Sequence, residues 1–399
     1  MAVAIGPNLA SQINPIPNFR DIEHIYRITP TLSSVRLNKS DLLRRIKAIK
    51  PNKASGPDSI APRDFHLIGE ASAAGLYTVL RHSLLDSTVP TQWKVSRMLT
   101  THKKGNKTVR GNYRPLQMLS LPSKLLEGLV CEGLDNFTTE TGQLNDNQWG
   151  FRQGRSTEEI LIYLTETWKS ALDNGNIVGV VYIDFQKAFD TVSHEIQLIY
   201  KLQAMGLSGD MLKGFISYLK DRRQFAVVNG CSSQTKPVTC GVPQGSLLGP
   251  RLFTYYINDL SDSITEGNLN MYADDTTLHF IGNNVDEVVD GLNQALSKIL
   301  LWCRNNKLTI HAGKSEAMII SHRAFCGPLK PITLGDKILN VVSETRCLGV
   351  IIDSQLSWNS HSDHLCKAFG KKVGQLKRFK YLSTRTLETI YFSSIVPTI

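Results

Sequence analysis

A near-continuous apolar run, NIVGVVYID at residues 176–184, is the feature that most constrains how this chain can fold. An Asn-Gly turn signal at residues 174–175 comes directly before it. A run without polar alternation is typical of a strand buried in the middle of a sheet. Asp184 stands where this strand leaves the core, and a carboxylate there is costly unless it is solvated or bound to a cation.

A second strand signal is MYADDTTLHF at residues 271–280. Apolar residues occupy odd positions before Asp274 and even positions after Asp275, and this change of parity predicts a β-hairpin with the two aspartates as its turn. Asp-Asp is a poor turn, because two-residue turns favour Asn-Gly or Asp-Gly and because like charges repel. Two readings stay open: a solvated acidic turn, or an acidic turn that faces a cation.

The acidic positions can belong to one site. Asp184 and the Asp274–Asp275 pair lie ninety residues apart, on strands that can be neighbours in one sheet. Three carboxylates brought together would form an oxygen-only site suited to Mg²⁺, which prefers carboxylates, water and substrate phosphates. Two such ions, about 4 Å apart, can activate an attacking hydroxyl and stabilise a leaving oxygen in phosphoryl transfer. Asp190 is instead predicted to start a helix.

Composition restricts the class of protein. The 399 residues are 41% hydrophobic and 20% charged, as in ordinary globular chains, and suffice for two or three packed units. The net charge of +10 at pH 7 indicates a polyanionic partner. The seven cysteines include no Cys-x-x-Cys pair, which argues against zinc or a disulfide framework and favours an intracellular protein. No apolar run is long enough to span a bilayer, so no membrane partner is expected, while nucleus and cytoplasm both stay open.

Helix and strand signals indicate the overall class of fold. Ser40 is predicted to cap an early helix, Ser156 with Glu159 forms a capping box, and Asn284 with Glu287 caps the most regular helix. Seven basic residues and no acidic one lie in a predicted hairpin at 94–114, and strand-like segments follow at AMIIS and RCLGVIID before a basic helical tail. This order predicts an α+β fold with helices on one face of the sheet.

Nine motifs occur along the chain in a fixed order: KASGPDSI, HKKG, NYRPLQMLSLPSKLLE, QWGFRQGRST, DFQKAFDTVSH, GVPQGSLLGP, YADDTTL, NNKLTI and CLGVIIDSQLSW. Together they resemble the reverse transcriptases of non-LTR (LINE-type) retrotransposons, over about residues 35–399. The resemblance implies a right-hand polymerase with fingers and palm, an antiparallel sheet backed by helices, and a partial helical thumb. The division it implies is a loose leader (1–34), an N-terminal helical extension (35–93), fingers and palm (94–346), and a primer-grip hairpin with a partial basic thumb (347–399).

The resemblance also implies the site residues. The catalytic metal ligands would be Asp184, Asp274 and Asp275, holding two Mg²⁺ ions for which Mn²⁺ can substitute. The implied nucleotide-binding residues are Lys103, Lys104, Arg114, Phe185, Phe189, Gln244 and Gly245. The implied template and primer contacts are Arg152, Arg155, Leu348 and Gly349. Lys314 matches a proton donor to the leaving pyrophosphate, with an ordinary solvated lysine as the alternative.

The implied activity is RNA-directed DNA polymerase, which adds dNTPs to a DNA primer along an RNA template. Phe189 would clash with a 2′-hydroxyl and so favour dNTPs, although an ordinary core phenylalanine is the alternative. Full elements pair the polymerase with an endonuclease, which we expect to be absent from this chain. The competing interpretation is a catalytically silent or truncated copy that acts at most as an RNA-binding module. An RNA-dependent RNA polymerase is disfavoured by Phe189 and by the set of motifs.

Overall fold

The computed structural model of the protein describes residues 30–103, 105–109, 112–228, 230–322 and 329–398. The strands are β1 Val95–His102, β2 Tyr113–Met118, β3 Ile177–Ile183, β4 Arg223–Val228, β5 Cys231–Ser232, β6 Lys236–Pro237, β7 Asn268–Tyr272, β8 Asp275–Gly282, β9 Glu316–Ile320, β10 Thr333–Leu334, β11 Lys337–Ile338, β12 Asn340–Val341, β13 Glu344–Cys347 and β14 Val350–Asp353. The α-helices are α1 Lys39–Ala48, α2 Pro62–Ile68, α3 Glu70–Leu85, α4 Leu121–Thr141, α5 Thr157–Asp173, α6 Ala188–Thr191, α7 Ile199–Ala204, α8 Gly209–Leu219, α9 Leu248–Tyr256, α10 Val285–Asn305, α11 Asn359–Arg378 and α12 Thr384–Ile390. Most of the expected leader lies outside the described residues.

The central sheet has the strand order β12-β9-β3-β8-β7. β3 is its middle strand and pairs antiparallel with both β8 and β9. The register runs from Ile177 opposite Gly282 to Ile183 opposite Thr276. The prediction of a central, buried strand is confirmed, and the acidic hairpin is its direct neighbour.

Helices cover both faces of this sheet, so the prediction of helices on one face is wrong. Val180 packs in one core cluster with Trp168 of α5, whereas Val181 packs in the other with Leu292 of α10. Successive side chains of a strand point to opposite faces, and burial of both faces explains why β3 lacks polar alternation. A Cβ at Gly179 would clash with side chains of α10, so glycine lets this helix lie close to the strand.

A second sheet has the strand order β2-β1-β4-β5, with β6 on β4, and its strands come from before and after β3 in sequence. β1 and β2 pair antiparallel from Arg97 opposite Met118 to His102 opposite Tyr113. The prediction of a basic hairpin at 94–114 is therefore confirmed.

Local capping signals fix the helix starts. Ser156 Oγ accepts from the Glu159 N–H at 3.2 Å and the Glu159 carboxylate accepts from the Ser156 N–H at 2.9 Å, which confirms the capping box of α5. Asn284 caps α10 as predicted. The Ser40 prediction is wrong by two residues: Asn38, an equally good cap, accepts from the Ser40 N–H at 3.0 Å.

The C-terminal part begins with the β13–β14 hairpin. Its turn is Leu348-Gly349, with φ of 47° and 97°, the positive values that a tight two-residue hairpin needs. The expected domain boundary at 346/347 falls inside this hairpin. The predicted basic helical tail corresponds to α11 and α12. Among the residues described, no helix combines the length and apolarity needed to cross a bilayer.

A buried ion pair joins α7 to the end of α9. Lys201 Nζ lies 2.6 Å from Asp259 Oδ1 and donates to the Tyr256 carbonyl at 2.7 Å. It also lies 4.7 Å from the centroid of the Trp302 ring in α10. Burial lowers the pKa of Lys201, and the Asp259 charge opposes this. The pair therefore connects three helices through one desolvated ammonium.

Candidate active site

The acidic hairpin turns one residue earlier than the parity of the sequence predicts. β7 and β8 pair as far as Tyr272 opposite Asp275, which leaves Ala273-Asp274 as the turn. Asp275 is thus the first residue of β8 and not a turn residue. Ala273 has a φ of 57°, a value that L-residues adopt at a cost. Because Ala273 is apolar and buried, its side chain continues the strand pattern while its backbone already turns.

Asp184 is held at the end of β3 by the segment before β9. Its carbonyl accepts from the His311 N–H at 2.7 Å, and its N–H donates to Ser315 Oγ at 3.1 Å. The Gln186 N–H donates to the Thr309 carbonyl at 2.7 Å. The backbone on both sides of the carboxylate is therefore fixed. Sequence reasoning did not identify His311 and Ser315 as supports, because no local pattern shows which strand end they will join.

The three aspartates lie at one end of the sheet. Ile183 is paired with Thr276, so Asp184 and Asp275 lie one residue further along adjacent strands. Burial, followed by the charges of Asp274 and Asp184, raises the pKa of Asp275 to about 6. Burial and the Asp184 charge also raise the pKa of Asp274. The backbone positions of Asp184, Asp274 and Asp275 therefore share one end of the sheet, and their role as metal ligands stays a prediction.

This donor set is chemically suited to a hard divalent cation. Carboxylate oxygens are the ligands that Mg²⁺ prefers, and a cation would relieve the repulsion that raises the two pKa values. In the ranges that the structure describes, no three His, Cys, Asp or Glu side chains are already gathered into a metal-binding cluster. Lys314 supplies positive charge instead, with its Nζ 3.7 Å from Asp184 Oδ2. The residues fit Mg²⁺ in kind, and their side chains would have to close around it.

Two cations of the basic hairpin β1–β2 influence the acidic site. The charges of Arg114 and Lys103 lower the pKa of Asp274, against the effect of burial, so both cations lie within electrostatic reach of that carboxylate. Arg114 is opposite Thr101 in the hairpin, and both cationic side chains are exposed. Lys104, the other lysine of the motif, lies outside the described residues. Two of the three predicted phosphate-binding cations are thus near the carboxylates.

The two phenylalanines of DFQKAF have different surroundings. Phe189 is half-buried and stacks on Phe253 of α9, with centroids 4.5 Å apart and planes 26° apart. Phe185 is only 5% exposed and belongs to the hydrophobic core. The Phe185 ring is therefore already packed, and contact of this residue with a nucleotide stays a prediction.

Gln244 and Gly245 lie between β2 and α6. The side-chain amide of Gln244 donates to Asp190 Oδ1 at 2.9 Å. The backbone carbonyl of Gln244 accepts from the Gln117 N–H at 2.7 Å. Gly245 has a φ of 109°, and a Cβ there would clash with the Gln117 carbonyl. The prediction that Asp190 starts a helix is wrong: α6 starts at Ala188 after the N-cap Lys187, and Asp190, inside the first turn, orients Gln244 with its side chain. That role was missed, because the contact joins residues far apart in sequence.

The arginines of FRQGRST are engaged within the chain. Arg152 donates to the carbonyls of Asn145, at 2.8 Å, and Gln148, at 3.2 Å. The Arg155 guanidinium stacks over Trp149, 4.3 Å from the ring centroid. Arg152 therefore holds a loop in place, and template contact by either arginine stays a prediction.

The turn of the β13–β14 hairpin is near the acidic site as well. Cys347, directly before Leu348 and Gly349, is buried, and burial raises the pKa of its thiol to about 12. A hydrogen bond between the Thr277 side chain and the sulfur lowers the pKa of Cys347, whereas the negative charge of Asp275 raises it further. The hydrogen bond to Thr277 places Cys347, which precedes the hairpin turn, next to the start of β8.

Most of the chain, residues 101–383, matches the family model described as reverse transcriptase (RNA-dependent DNA polymerase). The chain belongs to the reverse transcriptase family. This match covers the three carboxylates and the basic hairpin from residue 101 onward. The resemblance to reverse transcriptases of non-LTR retrotransposons is confirmed.

Relatives of this reverse transcriptase chain come from transposable elements. It is 30% identical over 371 residues to the probable RNA-directed DNA polymerase from transposon BS of Drosophila melanogaster, covering 90% of this chain and 40% of that protein. It is 26% identical to the RNA-directed DNA polymerase from mobile element jockey of Drosophila melanogaster, covering 89% of this chain and 39% of that protein. The reverse transcriptase chain therefore spans about two fifths of the length of these relatives.

Proposed function

We propose that this reverse transcriptase is an RNA-directed DNA polymerase that extends a DNA primer with dNTPs along an RNA template. The observation that carries the proposal is the position of Asp184, Asp274 and Asp275 at one end of the central sheet, within electrostatic reach of Lys103 and Arg114. In the terms of a right-hand polymerase, β1–β2 belongs to the fingers, the central sheet to the palm, and α11–α12 to a partial thumb. An endonuclease elsewhere in a complete element stays a prediction.

The carboxylates are the metal ligands in this proposal. Asp184, Asp274 and Asp275 would hold two Mg²⁺ ions, with Mn²⁺ able to replace them. Bound divalent cations lower the pKa of an attacking hydroxyl and stabilise the leaving oxygen in phosphoryl transfer. The role of the protein is to position these ligands. Asp184 and Asp275 lie at the same end of two adjacent strands, and the register of the strands fixes the separation of the two residues.

The cationic side chains serve the triphosphate. Arg114 is suited to bidentate phosphate binding and Lys103 adds a mobile charge, and both are exposed and electrostatically coupled to Asp274. Lys314 is 65% exposed and close to Asp184, so its ammonium can reach a leaving pyrophosphate and donate a proton.

Nucleotide selection depends on Phe189 and on the loop at Gln244. The ring of Phe189 is backed by Phe253, so it cannot retreat from a ribose 2′-hydroxyl without unstacking. Gln244 is oriented by Asp190, and Gly245 allows close approach of the backbone to a nucleotide. The proposed contacts to template and primer are Arg152, Arg155, Leu348 and Gly349.

The test is incorporation of dTTP on oligo(dT)-primed poly(rA) with Mg²⁺, comparing the protein with Asp274→Asn. We expect incorporation by the protein and its loss in Asp274→Asn, because a neutral amide binds Mg²⁺ far more weakly than a carboxylate. Asp286→Asn is the matched control, since Asp286 is an exposed aspartate on α10 that pairs with Lys330. An active Asp274→Asn variant would reject the metal assignment. A folded protein that binds the primed template without incorporating dTTP would favour the RNA-binding alternative.

A further inference from the structure

Residues 147–149 add to the open edge of β7, beside the acidic turn. The Met271 N–H donates to the Asn147 carbonyl at 2.8 Å, and the Trp149 N–H donates to the Met271 carbonyl at 2.8 Å. Gln148 lies opposite Met271 in a parallel bridge. The segment therefore lies alongside the strand that leads into Asp274.

The Gln148 side chain reaches the turn itself. Its Oε1 accepts from the Ala273 N–H at 3.1 Å and from the Gly150 N–H at 2.8 Å. Both partners are donors, so the amide oxygen and not the nitrogen faces them. Gln148 is fully buried, which shields both bonds from competition with water.

The turn needs such support because Ala273 has a positive φ. A residue with a Cβ persists in this conformation only where its surroundings hold it. A Cβ at Gly150 would clash with the Ala273 nitrogen, so only glycine lets the segment approach this closely. The segment is held in turn by Arg152 on the Gln148 carbonyl and by Asn258, whose Oδ1 accepts from the Asn145 N–H.

We infer that Gln148 is a positioning residue for the reaction: its amide oxygen holds the strained Ala273 turn and so fixes where Asp274 and Asp275 present their carboxylates. This inference rests on the proposed polymerase function. Gln148 touches neither substrate nor reacting atoms, and it acts through the backbone of the turn. Without the acceptor the turn relaxes, and the carboxylates must be brought back to their positions each time that metal binds.

The test is Gln148→Met, which keeps the volume and removes the acceptor. We expect kcat on primed poly(rA) to fall about tenfold and the Mg²⁺ concentration for half-maximal rate to rise, with primer–template affinity unchanged. In Gln148→Asn the amide is one methylene too short to reach the Ala273 N–H, so this variant should show the same changes in kcat and Mg²⁺ requirement. It replaces Gln148→Met in the test if the Met variant does not fold. Gln197→Met is the matched control: Gln197 is also buried and accepts from the Tyr256 hydroxyl at 2.7 Å, a partner outside the turn, so it should lower stability without moving the Mg²⁺ requirement.

A second substitution separates positioning from stability. Glycine adopts the φ of Ala273 without cost. When Ala273→Gly is introduced into Gln148→Met, kcat and the Mg²⁺ response should therefore return most of the way to those of the Ala273→Gly single variant. A double variant as slow as Gln148→Met would overturn the inference, as would a Gln148→Met variant with wild-type kcat and Mg²⁺ response. Absence of incorporation by the unmodified protein would instead reject the proposed function on which the inference rests.

Discussion

Removal of the Lys201 ammonium is the sharpest test of the packing between α7, α9 and α10. Lys201→Met keeps most of the apolar stem and deletes the charge. Asp259, 5% exposed, would then be a buried carboxylate without its counter-ion, and the Tyr256 carbonyl would lose a donor at 2.7 Å. The attraction of the ammonium to the Trp302 ring at 4.7 Å would be lost as well.

The expected cost is large because the pair is desolvated. Removing one partner of a buried ion pair typically costs about 3–5 kcal/mol, most of it the penalty of the charge left behind. Lys201→Met with Asp259→Asn removes that charge, so we expect the double variant to regain more than half of the loss. Lys213→Met is the matched control: its pair with Asp210 is exposed, with N and O 3.6 Å apart, and such pairs contribute about 0.5 kcal/mol or less.

The assay is urea unfolding followed by circular dichroism and by tryptophan fluorescence, to which Trp302 contributes. Coincidence of the two transitions is required before free energies of unfolding are compared. A loss below about 1 kcal/mol in Lys201→Met would refute the reasoning that the pair is desolvated. A double variant as unstable as the single one would mean that the lysine stem, and not the charge, stabilises the packing.

Two further predictions concern the active site. Phe189→Val should lower the preference for dTTP over UTP, measured as the ratio of kcat/KM values, by about tenfold or more, because the smaller side chain leaves room for a 2′-hydroxyl; an unchanged ratio would contradict a gate at Phe189. The second is a pH dependence. Folding raises the pKa of Asp275 from 3.8 to about 6, so the protonated carboxyl group is the form that the folded state favours. Its contribution to the free energy of unfolding is present below pH about 4 and is lost as pH rises through 6. Mg²⁺ competes with that proton, so the rise in Tm caused by Mg²⁺ should be small at pH about 5 and larger at pH about 8; equal shifts at both pH values, or the same pH dependence in Asp275→Asn, would count against it.

Local signals predicted much of the fold. The apolar run of β3, the capping box at Ser156 and the cap at Asn284 depend on residues within a few positions of one another, and the structure has all three where the sequence indicates them. The acidic residues were found for the same reason, because a carboxylate at the end of an apolar strand contradicts its surroundings.

Non-local contacts account for what was missed. The support of Ala273 by Gln148 and of Asp184 by Ser315 joins residues more than a hundred positions apart, which no periodicity can show. The turn was misplaced for a related reason: Ala273 satisfies the apolar pattern while neighbouring backbone groups hold its unusual φ. The second layer of helices escaped prediction because an apolar strand does not show which elements cover it.

The topology of β3 has a consequence for synthesis of the chain. Its partners, β8 and β9, follow about 100 and 140 residues later, so the most apolar strand leaves the ribosome long before either can pair with it. At roughly 5–20 residues per second, β3 waits about 5–20 s for β8. During that interval α5, which precedes β3 and covers one of its faces, is the only one of its two flanking helices already made. The nascent chain should therefore depend on chaperones until the acidic hairpin emerges, and the central sheet and its three aspartates would come together only in this late step.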